Sequence, residues 1–97
     1  MKFPKQIPHK RKEEVFERDG GNCQYCGKNG SEIHHIISAG MGRRRDHSIE
    51  NLLTLCYLCH SLAHLDKGMR AWCKAWSRRQ YGGTVDDIEK EKWRGGA

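Results

Sequence analysis

The sequence predicts a small α+β domain that a zinc ion stabilises, and three observations carry this prediction. At 97 residues, of which 36% are hydrophobic, the chain can bury only a thin apolar core. Two Cys-x-x-Cys pairs provide four thiols, the number that a closed zinc site requires. Between the pairs lies an isoleucine-rich segment with strand composition, and the second pair opens a segment with helix composition. We expect a single domain over residues 1–97.

The N-terminal part is predicted to be an arm followed by a helix. Two prolines within residues 1–8 favour an extended arm. Residues 9–19 are strong helix formers, and Gly20 with Gly21 allows a left-handed C-cap. The basic residues of the first turn, which we expect to face outward, are Lys10, Arg11 and Lys12.

The middle of the chain is predicted to hold a strand and a loop. Residues 32–37 are rich in isoleucine and read as the strand. Residues 38–46 form a glycine-rich basic loop, and the apolar run at 48–55 is compatible with a helix. Residues 57–67 have helical composition, with leucines recurring at four and three residues, and Gly68 is expected to be a cap or junction.

Two further helices are predicted within residues 69–93. One face of the first carries Met69, Trp72, Cys73 and Trp76, and we interpret this face as core packing in preference to base stacking. Gly82 with Gly83 ends that helix. Thr84 and Asp87 have the spacing of a capping box that would start the last helix, and residues 94–97 are expected to be a disordered tail.

The charge distribution predicts a polyanionic partner. The formal net charge is +6, and the basic residues are concentrated in short runs. The alternative is that these runs are solvated faces that aid solubility. No signal peptide or membrane-spanning segment is evident, so we expect a cytoplasmic protein with reduced thiols and no membrane partner. The runs are Lys10 to Lys12, then Arg43, Arg44 and Arg45, then Arg78 and Arg79.

Four cysteines predict a structural zinc site. A tetrahedral ion bound by four thiolates has no open position, so it contributes to folding and not to chemistry. Disulfides or a redox Cys-x-x-Cys are the alternatives. The fifth cysteine, Cys73, is expected to be a buried thiol without a metal role. The four proposed zinc ligands are Cys23, Cys26, Cys56 and Cys59.

Four histidines predict a second, open metal site. His60 and His64 lie four residues apart in a predicted helix, so both imidazoles project from one face. His34 and His35 are neighbours in a predicted strand and therefore point to opposite faces. One of the two is then able to bind the ion while the other takes a different part. Of the remaining histidines, His9 and His47 have no partner spacing and read as surface residues.

The order His35, Asn51, His60, set within Cys-x-x-Cys, His-His, Asn-Leu and Leu-Cys-x-x-Cys-His, resembles the HNH endonucleases with a ββα-metal fold and a four-cysteine zinc site. The resemblance covers about residues 16–68, with helices on both sides. It implies that His34 and His60 bind a divalent ion and that His35 is the general base. It also implies that Asn51 constrains the loop facing the strand. His64 matches an additional ligand of the colicin-type DNases, which many other members lack.

The resemblance implies a metal-dependent endonuclease that leaves 5′-phosphate and 3′-hydroxyl ends. A neutral imidazole is able to accept a proton from water at physiological pH. We expect Mn²⁺ or Mg²⁺ as the catalytic ion, with Zn²⁺ or Ni²⁺ as alternatives favoured by nitrogen ligands. Glu32 either orients a ligand or forms a plain salt bridge.

The expected substrate is double-stranded DNA, nicked or cut with little sequence preference, by a monomer or a homodimer. The three arginines at 43–45 would flank the bound backbone. The rival interpretation is a zinc-ribbon-like module that binds DNA or a protein partner without catalysis. A RING-like scaffold fits less well, because its second zinc site would lack thiolates entirely.

Overall fold

The computed structural model describes residues 6–38 and 46–94, with side chains described as far as residue 91. These residues form a small α+β structure with a two-stranded antiparallel sheet and four α-helices, which confirms the predicted fold class. The arginine run at 43–45 lies outside the described residues. The elements are α1 (His9–Asp19), β1 (Glu32–His35), a 3₁₀ turn (Ile49–Asn51), β2 (Leu52–Leu55), α2 (Tyr57–Leu65), α3 (Lys67–Tyr81) and α4 (Thr84–Arg94).

Helix α1 has the bounds that its sequence predicts. Pro8 is its N-cap residue, and Gly20 ends it with a φ of 66°, a left-handed conformation that glycine adopts without steric cost. Val15 is its buried apolar contact with the body. The basic first turn faces outward as expected, with Lys10 and Lys12 exposed. Arg11 is partly exposed and lies 3.7 Å from Glu14.

The sheet consists of β1 paired with β2, and the second strand was not evident from the sequence. His34 pairs with Leu53 and His35 with Leu52. The apolar run at 48–55, whose sequence is compatible with a helix, does not form an α-helix. It contains the 3₁₀ turn and then β2, whose four residues are all buried in the sheet. A short apolar run has no periodicity that separates a buried strand from a helix. The first strand is also shorter than predicted and ends at His35.

Arg18 joins α1 to the 3₁₀ turn and to β2. Its guanidinium donates to the carbonyl oxygens of Ile49 and Leu52 at 2.8 and 2.7 Å, and to the carboxylate of Asp19. Asp19 in turn accepts from the backbone N–H of Thr54 at 2.9 Å. Because this ion pair satisfies backbone groups of the strand edge that faces away from β1, it fixes where β2 lies relative to α1.

Helix α3 provides much of the core. Met69, Cys73 and Trp76 are buried and Trp72 packs against them, which confirms the core-packing interpretation of this face. Gly68 is neither a cap nor a junction. It lies in the first turn of α3, because the Asp66 side chain caps the helix by accepting from the backbone N–H of Met69 at 3.1 Å.

The last two helices meet at a glycine turn, as predicted. Gly82 ends α3 with a φ of 73°, a value that favours glycine. The capping box predicted at Thr84 is wrong, because the backbone N–H of Asp87 donates to the carbonyl oxygen of Gly83 at 3.2 Å and the Thr84 hydroxyl donates to the carbonyl oxygen of Tyr81 at 3.4 Å. Among the described helices, none has the length and apolar character needed to cross a membrane.

Helix α2 follows β2 directly and completes the ββα unit. Cys59 and Ala63 form its buried face. Its three leucines lie on the exposed side, with 67% of Leu58, 48% of Leu62 and 82% of Leu65 accessible to solvent. The helix therefore packs Cys59 and Ala63 against the body, and this orientation places His60 and His64 beside β1.

Candidate metal centre

One helix contributes ligands to two separate groups of side chains. The first group, named here the cysteine cluster, consists of Cys23, Cys26, Cys56 and Cys59. The second, the histidine cluster, consists of His34, His60 and His64. Within each cluster, the atoms able to bind a metal all lie within 4.8 Å of one another. Among the described residues these are the groups of histidine, cysteine and acidic side chains that are close enough to hold an ion.

The cysteine cluster has the geometry of a tetrahedral thiolate site. The Sγ atoms of Cys26 and Cys56 are 3.7 Å apart. Two sulfurs at about 2.3 Å from a zinc ion, at a tetrahedral angle, would be about 3.8 Å apart. All cysteines are free thiols, so the disulfide alternative is not realised. The prediction that these four residues lie close enough to bind zinc is confirmed.

Backbone donors prepare two of the sulfurs for a thiolate role. The N–H of Cys26 reaches the sulfur of Cys23 at 3.5 Å, and the N–H of Cys59 reaches the sulfur of Cys56 at 3.5 Å. Burial disfavours the Cys23 thiolate, but backbone donors at Cys26, Cys56 and Tyr25 together outweigh it and lower the pKa of Cys23 to about 6. This lowering favours the thiolate, the form in which cysteine binds a metal.

Two other thiols behave in the opposite way. Burial and the neighbouring sulfurs raise the pKa of Cys59 well above its usual value, so this thiol gives up its proton only to a metal. Burial, with the nearby Cys23 charge, raises the pKa of Cys73 to about 11. Cys73 lies in the core and is not a member of the cysteine cluster, and it stays a neutral thiol, as the sequence predicts.

The histidine cluster joins the strand to the helix. His34 is buried, with 4% of its surface exposed, and its ring centroid lies 5.2 Å from that of His60 and 5.4 Å from that of His64. The Nε2 atoms of His60 and His64 are 3.3 Å apart. Two nitrogens bound to one zinc-sized ion at about 2.05 Å and a tetrahedral angle would be about 3.3 Å apart. The helical pair therefore has the spacing of two ligands of one ion.

The imidazole of His34 has two properties that suit a metal ligand. Its Nδ1 atom is buried and makes no hydrogen bond within the described part of the chain, and such an orphaned polar atom is costly unless a partner binds it. Burial, followed by the like charges that the neighbouring histidines would carry, lowers the pKa of His34 to about 3. His34 is thus neutral at any physiological pH, the form in which histidine binds metals.

Glu32 orients one member of the histidine cluster. Its Oε1 atom lies 3.1 Å from Nδ1 of His60 and accepts a hydrogen bond from the N–H at that position. The Nε2 atom of His60 is then left without a proton and faces His64. A carboxylate that fixes the tautomer of a ligating histidine is a common partner in metal sites. The contact of Glu32 with His60 is the one that both sequence interpretations of Glu32 require.

His35 points to the opposite side of the strand, as the alternation of a strand requires. Its Nε2 atom lies 3.0 Å from Nδ1 of His47, and the two ring centroids are 5.1 Å apart. The interpretation of His47 as an isolated surface residue is therefore wrong. No spacing signal links it to His35, because the two lie on either side of the basic loop. His9 is a surface residue as predicted, with 87% of its side chain exposed beside Glu13.

Asn51 connects the two sides of the loop that leaves β1. It is fully buried, and its Oδ1 atom accepts from the backbone N–H of Ile37 at 2.8 Å. Its Nδ2 atom donates to the carbonyl oxygens of Ile37 at 3.2 Å and of Asp46 at 2.9 Å. These bonds hold the chain directly after His35 and the chain directly before His47 at a fixed separation. The His35–His47 pair is thereby held from both ends.

Comparison with known families identifies one segment of the chain. Residues 23–65 match the family model described as HNH endonuclease. The matched segment contains all seven cluster residues together with His35 and Asn51. The family that the sequence predicted is therefore confirmed for this segment. No curated protein and no solved structure gives a significant match.

Proposed function

We propose that this chain, whose residues 23–65 are an HNH endonuclease domain, is a metal-dependent DNA endonuclease that hydrolyses phosphodiester bonds to 5′-phosphate and 3′-hydroxyl ends. One observation carries the proposal. On one face of β1, His34 presents a buried, neutral imidazole to the imidazoles of His60 and His64. On the opposite face, the neighbouring His35 pairs with the imidazole of His47. Neighbouring residues of one strand would therefore hold a divalent ion and a general base, and hydrolysis of a phosphodiester uses both.

In this proposal the histidine cluster holds the catalytic ion and the cysteine cluster holds a structural Zn²⁺. Three neutral nitrogens leave the double positive charge of an ion uncompensated, which suits an anionic substrate. Such an ion, Mn²⁺ or Mg²⁺ with Zn²⁺ or Ni²⁺ as alternatives, would stabilise charge on the scissile phosphate and on the leaving 3′ oxygen. His34 and His60 are its principal ligands, and His64 is the third.

His35 acts as the general base, and His47 is its positioning residue. The contact of Nε2 of His35 with Nδ1 of His47 at 3.0 Å would hold the His35 ring in place while it accepts a proton from water. The resulting imidazolium is stabilised by the same hydrogen bond to His47. Asn51 contributes by holding the backbone on either side of this pair.

The proposed substrate is double-stranded DNA, cut with little sequence preference by a monomer or a homodimer. The expectation rests on the net charge of +6 and on the basic runs, because lysine and arginine contacts to phosphate carry no sequence information. Lys10, Arg11 and Lys12 form the first turn of α1, where the two lysines are solvent-exposed. Arg43, Arg44 and Arg45 are proposed to clamp the backbone beside the cut.

Nicking of supercoiled plasmid tests the proposal. Protein carrying one zinc per chain is freed of other metals, and Mn²⁺ or Mg²⁺ is then added. We expect nicking only after the addition, and we expect His35→Ala to lower the rate by about 10²–10⁴-fold, the range for losing a general base. Zinc content and melting temperature should not change, because His35 belongs to neither cluster.

His9→Ala is the matched control, since His9 is a surface histidine on α1. It should nick at the wild-type rate. A wild-type protein that never nicks with either ion, or a His35→Ala variant that nicks as fast as wild type, would reject the catalytic proposal. DNA binding without nicking would instead identify the chain as a non-catalytic zinc-ribbon-like module.

A further inference from the structure

A basic groove lies between the chain that follows β1 and helix α3. Its volume is about 520 Å³. Residues 36–38 form one wall, and four cations of α3 line the other: Lys67, Arg70, Lys74 and Arg78. Glu89 of α4 lies at its border. We call this feature the α3 groove.

The four cations lie on one face of α3 because of their spacing. They are separated by three, four and four residues, which places each about one helical turn after the last. At about 1.5 Å per residue the row is about 16 Å long. A DNA strand rises about 3.4 Å per nucleotide, so the row has the length of about five nucleotides.

The groove begins at the histidine cluster. The Nη1 atom of Arg70 donates to the backbone carbonyl oxygen of His64 at 3.1 Å. On the opposite wall, residues 36–38 directly follow His34 and His35 in the chain. A polymer strand with one phosphate at the histidine cluster would therefore reach the groove beside Arg70.

The charges of the groove are unevenly compensated. Lys74 pairs with Glu89 at 2.7 Å, and Arg78 pairs with Asp86 at 2.7 Å, both carboxylates being on α4. Lys67 and Arg70 form no ion pair with a carboxylate of the described residues. The end nearest the histidine cluster therefore has free positive charge, and α4 neutralises the far end.

We propose that the α3 groove binds the sugar-phosphate backbone of the DNA strand that carries the scissile phosphate, on one side of the cut. This inference rests on the proposed endonuclease function. Lys67 and Arg70 bind the nearest phosphates directly. Further along, phosphates compete with Asp86 and Glu89 for Arg78 and Lys74, so α4 limits how tightly the far part of the strand is held.

Salt-dependent DNA binding tests the groove. All variants are made in the His35→Ala background, so that a fluorescent duplex stays intact while its Kd is measured at several salt concentrations. Lys67→Gln with Arg70→Gln should weaken binding by about tenfold or more. The slope of log affinity against log salt should fall by about 1.8, because each phosphate that a cation no longer neutralises lowers it by about 0.9.

The matched control is Lys28→Gln with Lys90→Gln, which removes the same charge from exposed positions outside the groove and outside the basic runs. It should leave the slope unchanged within error and Kd within about twofold. Equal effects from the two pairs would overturn the proposal, because net charge alone would then explain the binding. Melting temperature and zinc content verify that each variant is folded.

A second pair of variants keeps the cations of the groove and removes the carboxylates that pair with them. These variants should strengthen DNA binding, whereas the first pair should weaken it. Asp86→Asn with Glu89→Gln frees Arg78 and Lys74, and should tighten DNA binding by about threefold or more. Asp87→Asn with Glu17→Gln changes the net charge equally, but neither residue is the carboxylate that pairs with Lys74 or Arg78. Binding that tightens equally for both pairs, or not at all, would contradict the proposal.

The two proposals fail separately. Wild-type hydrolysis of bis(p-nitrophenyl) phosphate, a single phosphodiester too small to span the groove, reports on the proposed function alone. Absence of that hydrolysis and of nicking, with the groove effects present, would reject the endonuclease and keep the DNA-binding groove. Hydrolysis of bis(p-nitrophenyl) phosphate without the groove effects would keep the endonuclease proposal and reject the DNA-binding groove.

Discussion

The cysteine cluster and the histidine cluster share helix α2 but differ in what their ligands allow. Cys56 and Cys59 lie at the start of the helix, and His60 and His64 follow within the next turn and a half. Four thiolates fill the coordination of a tetrahedral ion, whereas three imidazoles leave positions open. With a divalent ion the first site carries a charge of about −2 and the second about +2, counting each thiolate as −1 and each imidazole as neutral. Only the second suits an anionic phosphate.

In the proposed function, position along one helix would separate a folding role from a chemical one. The cysteine cluster ties the turn at residues 23–26 to the first residue before α2, so an ion there fixes the helix relative to the rest of the domain. The histidine cluster then depends on that fixed helix to face His34 on β1. Loss of the first site should therefore abolish the second, while loss of the second should spare the first.

The largest expected effect comes from Cys59→Ser. The variant should lose zinc and with it the cooperative unfolding transition, because structural zinc provides about 10 kcal/mol or more of binding free energy in small zinc domains. Metal content and near-ultraviolet circular dichroism are the measurements. Cys73→Ala removes a buried thiol that is outside the cluster and should keep one zinc per chain. A folded, zinc-free Cys59→Ser protein would contradict the role given to the cysteine cluster.

Alanine variants of the histidine cluster should have the next largest effect. His34→Ala should abolish binding of the second ion and lower nicking by more than about 100-fold, since a buried ligand has no water to replace it. His64→Ala should cost less, because His64 is exposed and water is able to take its place. Calorimetric titration with Mn²⁺ and the plasmid assay measure both. Equal losses in the two variants would remove the distinction between these ligands.

Glu32→Gln should have a smaller effect that is confined to one cluster. The amide oxygen still accepts from Nδ1 of His60, but the negative charge that makes Nε2 more basic is lost. We expect the affinity for the second ion to fall by about tenfold, with zinc content unchanged. Glu14→Gln on α1 is the control. A loss of zinc in Glu32→Gln would mean that the two clusters are not separable in this way.

The last prediction compares how metal binding at the two sites depends on pH between pH 7 and 8. The raised pKa of Cys59 means that zinc displaces at least one proton, so zinc affinity should fall by about tenfold or more for each pH unit lowered. The pKa of His34, lowered to about 3, means that this ligand is neutral throughout and adds nothing to the pH dependence of the second ion. Competition with chelators at several pH values compares the two slopes. If the affinity for the second ion depended more steeply on pH than the affinity for zinc, this prediction would be wrong.

Local sequence patterns alone were sufficient to identify the residues of the cysteine cluster and the histidine cluster. Two thiols in a Cys-x-x-Cys turn, and two imidazoles four residues apart in a helix, are brought together by backbone geometry within a few residues. The bounds of α1 followed in the same way, from Pro8 and the left-handed Gly20. The opposite directions of His34 and His35 needed only the alternation of a strand. In each case the determining contact lies close in the sequence.

Only the tertiary structure decided which partners those residues meet. The buried character of β2 depends on its pairing with β1 and on Arg18 and Asp19, none of which its short apolar run reveals. The contact of His47 with His35 lies beside the hydrogen bonds of Asn51 to Ile37 and Asp46, and all of these contacts join residues distant in the sequence. The α3 groove likewise requires the chain after β1 to lie beside α3. The sequence thus determined which atoms are able to bind metal, and the packing of distant segments determined what surrounds them, because such contacts leave no periodic pattern in the chain.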